Sequence, residues 1–303
     1  MELWVGEILL KALFLALNLK VKTMAHSEQV IIEAGHGAKN YWRDLWKNRE
    51  LLLILSRRDL SVRYKQTVVG AGWAVIRPFA TMLVMVFVFD KVAKFKGDEG
   101  VPYPLMVLAG ITIWTFFSTT FTQISHSILL NSNLVTKTYF PRLIMPLSSV
   151  VVGFVDFIIS IILYVLIAIW YQHFPSWQIL LFPAFVLLTL AASLAFGLFF
   201  AVMNVRFRDI AQLIPFIIQI GFYACPIAYS SSLVEANQGA WWYDLYYLNP
   251  MVSIIDGFKW CLLGDGAFFK VSSLYSTLGL IVLVLGFSIY YFRKEENSFV
   301  DYI

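Results

Sequence analysis

Few side chains in this 303-residue chain have the types and spacing that chemistry requires. Histidine occurs at His26, His36, His126 and His173; His126 and His173 fall at opposite membrane faces and have no carboxylate partner at a useful spacing for general acid or base work. The two cysteines, Cys225 and Cys261, form no CxxC or Cys/His cluster, so they imply neither a metal site nor a disulfide framework. They read as small apolar residues. No GxxxxGK[ST] stretch occurs, so the phosphate cradle of an ATPase is missing. What remains is one pair of opposite charges in apolar surroundings, Arg77 and Asp156. An isolated charge at membrane depth costs roughly 3 kcal/mol, so these two are expected to form a salt bridge that locks two helices. A proton relay is the weaker reading. No residue is assigned a catalytic role.

The elements that position such residues follow from composition. Hydrophobic residues make up 59% of the chain and charged ones only 14%, against about 25% in an ordinary soluble domain. About 20 apolar residues cross the hydrocarbon layer, and six stretches are expected to do so, near 68–90, 104–125, 146–170, 179–203, 210–229 and 272–292. The fold class is therefore an all-α membrane protein. Its 10 Trp and 15 Tyr suit two interfacial belts. Residues 1–29 read as an N-terminal extension with Met24 as an alternative start, 30–67 as a cytoplasmic interfacial segment with a short extended stretch at 30–37, and 68–303 as the six-span membrane domain. Within 41–65, Trp42, Leu45, Trp46, Leu52 and Leu53 fall near one helical face, flanked by Arg43, Lys47, Arg49, Arg57 and Arg58. That pattern is an amphipathic helix lying on an anionic leaflet.

Most Lys and Arg fall in segments that share a side with the N-terminus, which places both termini in the cytoplasm. Residues 230–271 are then outside. They are rich in aromatics (Trp241, Trp242, Tyr243, Tyr246, Tyr247), and Asn249-Pro250 opens an apolar helix too short to cross. A re-entrant extracytoplasmic hairpin, the lid of an exit, is the expectation; an ordinary folded loop is the plainer alternative.

With neither a proton path nor a nucleotide site, work must reach the chain from a partner. The connection from His126 to Arg142 contains a short amphipathic helix that Pro141 ends. Such a helix could dock in a groove on a cytoplasmic partner. Asn204–Asp209 forms a second connection on the same side.

Five stretches carry a resemblance: Trp42-Arg-Asp-Leu-Trp46, the run from Arg58 to Pro78, the run from Lys137 to Pro146, Asn204-Val-Arg-Phe-Arg-Asp209 and Leu248-Asn-Pro-Met251. In this order they are similar to the permease subunits of type-2 ABC exporters for polysaccharides, the family of O-antigen, capsule and teichoic-acid permeases. The resemblance covers about residues 30–266 and implies a non-enzymatic half-transporter. Two copies would form the pore above two copies of a separate ATPase that binds ATP and Mg. The cargo would be a glycan on undecaprenyl diphosphate, and the location the bacterial inner membrane. Nucleic acid has no place among these partners. By position, the resemblance assigns ATPase coupling to Tyr139, Phe140, Pro141, Arg142, Arg206, Arg208 and Asp209.

A sugar chain sliding through a pore needs weak, repeated contacts. Trp73, Phe79, Phe216, Phe222 and Tyr223 are the channel-lining candidates, although spanning aromatics also pack against helices or lipid. Arg58, Arg63 and Lys65 could attract a diphosphate head group, or simply anchor to the leaflet. A drug or small-lipid exporter of the same fold is the alternative. A membrane-bound glycosyl or acyl transferase would need a carboxylate/His constellation that the sequence lacks.

Overall fold

The apolar runs fold as helices. The computed structural model describes residues 41–65, 72–94, 98, 100–138 and 140–302, and among the described residues every regular element is helical. The expectations placed on residues 1–40 and on Tyr139 lie outside these, as does the side chain of Lys65.

Two helices open the described chain, α1 (Tyr41–Lys47) and α2 (Arg49–Lys65). Then follow α3 (Gly72–Met85), continued by a π-helical turn at Val86–Val92, and α4 (Tyr103–Leu130). Next come α5 (Ser132–Lys137), α6 (Ile144–Trp170) and α7 (Phe182–Arg206), the last preceded by a 3-10 turn at Trp177–Leu181. The remaining helices are α8 (Ile210–Ala224), α9 (Ser232–Glu235), α10 (Tyr243–Leu248), α11 (Pro250–Leu263), α12 (Val271–Glu295) and α13 (Phe299–Tyr302).

Among the described residues, five stretches are long and apolar enough to cross a membrane: 72–92, 103–130, 144–170, 177–206 and 271–302. The stretch expected at 210–229 is the difference. Its helix α8 stops at Ala224, about 22 Å long at 1.5 Å per residue. The cause is local: Cys225 precedes Pro226, the proline ring disfavours the helical region for its neighbour, and Cys225 is extended (φ −105°, ψ 152°).

Helix α4 is the axis of the fold. It packs against α6, α7, α11 and α3, and most of its residues are buried. Close approach is possible because small residues sit at the crossings. A Cβ on Gly153 of α6 would stand 2.1 Å from Thr120 Oγ1, and one on Gly197 of α7 would stand 2.6 Å from Ile124 Cγ2. Phe116 of α4 stacks on Phe157 of α6 with centroids 4.5 Å apart. Helix α12 lies along α7, where the Ser288 hydroxyl donates to the Ala195 carbonyl at 2.6 Å.

The short helix α11 is buried along its length, Trp260 excepted, among α4, α7 and α12. Asn249 caps its start by accepting from the Met251 amide at 3.1 Å, with Pro250 at the first helical position. Gly264, at φ 78°, ends it.

Candidate functional site

At the start of the chain, α2 lies against α6. Its buried face is Leu55, Ser56 and Leu60, while its Ile54 and, on α1, Trp42 and Trp46 stay exposed. The Ser56 hydroxyl reaches the Ser148 carbonyl at 3.3 Å. Further along, Asp156 of α6 is buried and meets two residues of α2. Arg63 forms an ion pair with its Oδ2 at 2.5 Å, and the Tyr64 hydroxyl donates to its Oδ1. Gln123 of α4, in the amide orientation that satisfies its neighbours, donates to the Ser149 carbonyl at 3.1 Å and accepts from Arg63. Burial, followed by the adjacent Asp156 charge, raises the Tyr64 phenol above its ordinary value.

The expected bridge between Arg77 and Asp156 is thus not the one present. Arg63 occupies the carboxylate, and Arg77 acts on it only at longer range. Counting residues along one helix could not reveal that α2 returns beside α6 and delivers a nearer cation. Arg77 is exposed on α3, with its guanidinium carbon 5.9 Å from the centre of the Trp73 ring. The two described head-group candidates are both engaged. Arg58 binds Asp59 Oδ1 at 2.7 and 2.8 Å and Asn131 Oδ1 at 2.6 Å, and Arg63 is held by Asp156.

The connection between α4 and α6 is anchored by the far end of the chain. Phe140 is buried and packs in a cluster with Phe292 and Phe299. The backbone amide of Arg142 donates to Glu296 Oε1 at 2.7 Å, and its guanidinium donates to the Glu296 carbonyl. Tyr41 of α1 adds its hydroxyl to Oε1 at 3.3 Å; burial, then the Glu296 charge, holds that phenol above its usual range. Phe140 and Arg142 therefore clamp the C-terminal segment, and Pro141 between them in sequence is buried. The outward face of this connection belongs to Asn133, Thr136, Lys137 and Thr138, which are exposed.

The second connection lies at the surface. Arg206, Phe207, Arg208 and Asp209 are all exposed, and Arg206 lies 5.5 Å from the Phe207 ring centre. Its base is fixed by Asn204, fully buried, whose amide donates to the Ser125 carbonyl at 3.0 Å and lies 3.0 Å from His126 Nδ1.

Of the aromatic candidates, Trp73 and Phe79 are exposed on α3, and Phe216 and Tyr223 on α8. Phe222 is half-buried and meets the buried Trp114 edge-on at 6.4 Å. Helices α3 and α8 each touch α4, and their exposed flanks carry further apolar residues, including Ile76 and Leu83 on α3, Phe87 on the π-helical turn that continues it, and Leu213, Ile217 and Ile220 on α8.

Beyond α8, the chain bends back under control of residues that the sequence reading did not single out. Lys259 of α11 is buried and donates to the carbonyls of Pro226 and, at 3.2 Å, Tyr229. Asp256, one turn earlier, is buried too. Their signal in the sequence is a pair of opposite charges within an otherwise apolar helix. On the surface of the same segment, Lys270 pairs with Glu235 at 3.1 Å and lies 4.8 and 4.6 Å from the ring centres of Tyr243 and Tyr247. Both phenols donate to Glu235 Oε2, at 2.7 and 3.0 Å. Slight burial raises Glu235, but the hydrogen bonds from Tyr243, Lys270, Tyr247 and Gln238 prevail and hold it below the ordinary carboxylate value. Hydrogen bonding to Tyr243, then to Glu235, raises Lys270.

Comparison with known proteins identifies relatives over most of the chain. An O-antigen export system permease protein RfbA of Myxococcus xanthus is 31% identical over 218 residues, covering 72% of this chain and 82% of the relative. An O-antigen export system permease protein RfbA of Klebsiella pneumoniae is 27% identical over 256 residues, 83% of this chain and 94% of the relative. The family profile described as ABC-2 type transporter matches residues 50–263. With most of its length inside that profile, the chain belongs to the membrane-protein family of ABC-2 type transporters.

Proposed function

We propose that this chain is the membrane subunit of an ATP-driven exporter that moves a lipid-linked, O-antigen-like polysaccharide across the bacterial inner membrane. The observation that carries the reading is the likeness, over most of both chains, to relatives named as O-antigen export permeases. The exposed aromatics of α3 and α8 suit the cargo, because ring faces hold sugar C–H surfaces weakly and without register.

In this reading the chain performs no covalent chemistry. Two copies surround the conduit, and two copies of an ABC ATPase supply ATP- and Mg-dependent work from the cytoplasmic side, where both termini lie. Helix α8 with the turn after it serves as a sixth crossing. The buried helix α11 completes a re-entrant outer hairpin; its encasement by neighbouring helices satisfies the rule that a non-crossing segment at membrane depth must be covered by protein. The outward faces of α5 and of residues 206–209 receive the force. Glycan is carried on undecaprenyl diphosphate.

The test is co-reconstitution of the full chain with its ATPase in proteoliposomes, measuring ATP turnover with and without lipid-linked glycan. Stimulation by glycan, together with its transfer across the bilayer, is expected. Turnover unaffected by any such glycan, but raised by small lipids or drugs, would replace the cargo assignment.

A further inference from the structure

The end of the chain touches both of the connections that carry the exposed basic residues Lys137, Arg206 and Arg208. A 3-10 turn at Glu296–Ser298 joins α12 to α13. Helix α13 packs on α5, in the connection between α4 and α6, and on α7, whose end leads into residues 206–209. Phe292 and Phe299 lie in one apolar cluster with Val135 of α5, Phe140, and Val202 and Val205 of α7, none of the six more than 8% exposed.

Polar contacts close the same junction. Glu296 Oε1 accepts from the Arg142 amide at 2.7 Å and from the Tyr41 hydroxyl at 3.3 Å. The Glu296 carbonyl accepts from the Arg142 guanidinium, whose carbon lies 5.9 Å from the Phe299 ring centre. The Arg293 guanidinium carbon stands 4.5 Å from the centre of the Tyr41 ring. On the α7 side, the Tyr291 and Phe199 ring centres are 6.1 Å apart.

Residues 131–143 link two long helices with only α5 as internal structure. Ordering such a link has an entropic cost in every residue. Held only at its ends, it would present Lys137 in many orientations. A partner that docks on one of these binds more weakly, in proportion to the fraction that is competent. Contacts from Glu296 and Phe299 remove that freedom.

We infer that the C-terminal segment, through Glu296 and Phe299, is a brace that fixes the α4–α6 connection and the end of α7 relative to each other, and so presents Lys137 and Arg208 to the ATPase in one arrangement. Glu296 is a positioning residue, acting through those exposed side chains. The role in docking rests on the reading of the chain as an exporter subunit; the brace itself does not.

The full chain in nanodiscs is followed by hydrogen exchange without the ATPase, then titrated with the ATPase to measure affinity. Phe299→Ala should quicken exchange about tenfold at both 131–143 and 204–210. Glu296→Ala strands the Arg142 amide and should do so about tenfold at 131–143. Residues 104–125 of α4 should be unchanged in both. Affinity for the ATPase should fall about tenfold with either variant, as the competent arrangement becomes one among many. Glu296→Gln keeps an oxygen that accepts from the Arg142 amide and the Tyr41 hydroxyl, so its exchange and affinity should stay close to wild type. Tyr302→Ala, on the exposed side of α13, should match wild type in both. If Phe299→Ala does not fold, Phe299→Leu carries the test with a few-fold effect at each connection.

Exchange unchanged at either connection in the Phe299 variants overturns the brace. Quickened exchange with unchanged ATPase affinity overturns its role in docking. Affinity lost in Tyr302→Ala at unchanged exchange makes the segment a contact surface and overturns that role too. A wild-type chain that binds no ATPase strikes the exporter reading and the docking role together, while exchange still decides the brace.

Discussion

Asp156 of α6 holds the Arg63 guanidinium of α2 at 2.5 Å, so α2 is tied to the long apolar helix α6 by a charge pair at its buried edge. Removing one member of a buried pair strands the other. Arg63 is about one-third exposed, which softens the loss, and Arg63→Gln should cost about 2 kcal/mol. Arg77→Gln should cost less, because no such partner is stranded. Thermal unfolding of the two variants in detergent checks the order; an equal or larger loss for Arg77→Gln would return the pairing to the two residues that the sequence suggested.

The crossings of α4 with its neighbours give a sharper test. A side chain at Gly153 collides with Thr120, where a Cβ would sit 2.1 Å from the hydroxyl oxygen. Gly153→Ala should lose about 1 to 3 kcal/mol, and Gly153→Ala combined with Thr120→Gly should recover much of it. Yield of monodisperse protein and its melting temperature report both.

Asn204 is fully buried and anchors the 206–209 connection through Ser125 and His126. Asn204→Ala leaves the Ser125 carbonyl without that donor, a cost of about 1 to 3 kcal/mol. Hydrogen exchange should quicken at 204–210, with residues 182–203 of α7 unchanged.

The segment between α8 and α12 should respond to acid. Hydrogen bonds hold the Glu235 carboxyl below its ordinary value. The native state therefore binds this proton less readily than the unfolded chain, and the stabilisation is present at neutral pH. It disappears as pH falls from about 4.5, the ordinary value, through the lower folded one. Lys270 is raised, so its share is lost only in strong alkali. Melting between pH 7 and pH 3 should show a decrement that Glu235→Gln flattens.

Coupling, under the proposed function, belongs to exposed side chains rather than clamped ones. Lys137→Glu and Arg208→Glu should lower glycan-dependent ATP turnover several-fold while leaving the melting temperature within about 1 °C, as surface changes usually do. Phe140→Ala should instead melt early, by about 3 kcal/mol, as a core truncation does.

Hydropathy made the long helices legible because each is a local run, and the aromatic candidates on α3 and α8 were visible for the same reason. Pairings between distant segments were not. The Glu296–Arg142 clamp joins the end of the last long helix to a connection near the middle, and no local pattern says that Phe140 will be covered by Phe292 and Phe299. The early stop of α8 was written in Cys225-Pro226, a signal that an average over apolar residues overlooks.

The Lys259 ammonium takes up two backbone oxygens of the bend after α8, those of Pro226 and Tyr229. One side chain therefore acts as a ruler: it measures the residues between the end of a too-short helix and the buried one that follows. Lengthening the bend by a single residue would carry one oxygen out of reach, so this stretch should tolerate exchange of side chains far more readily than a change in its length.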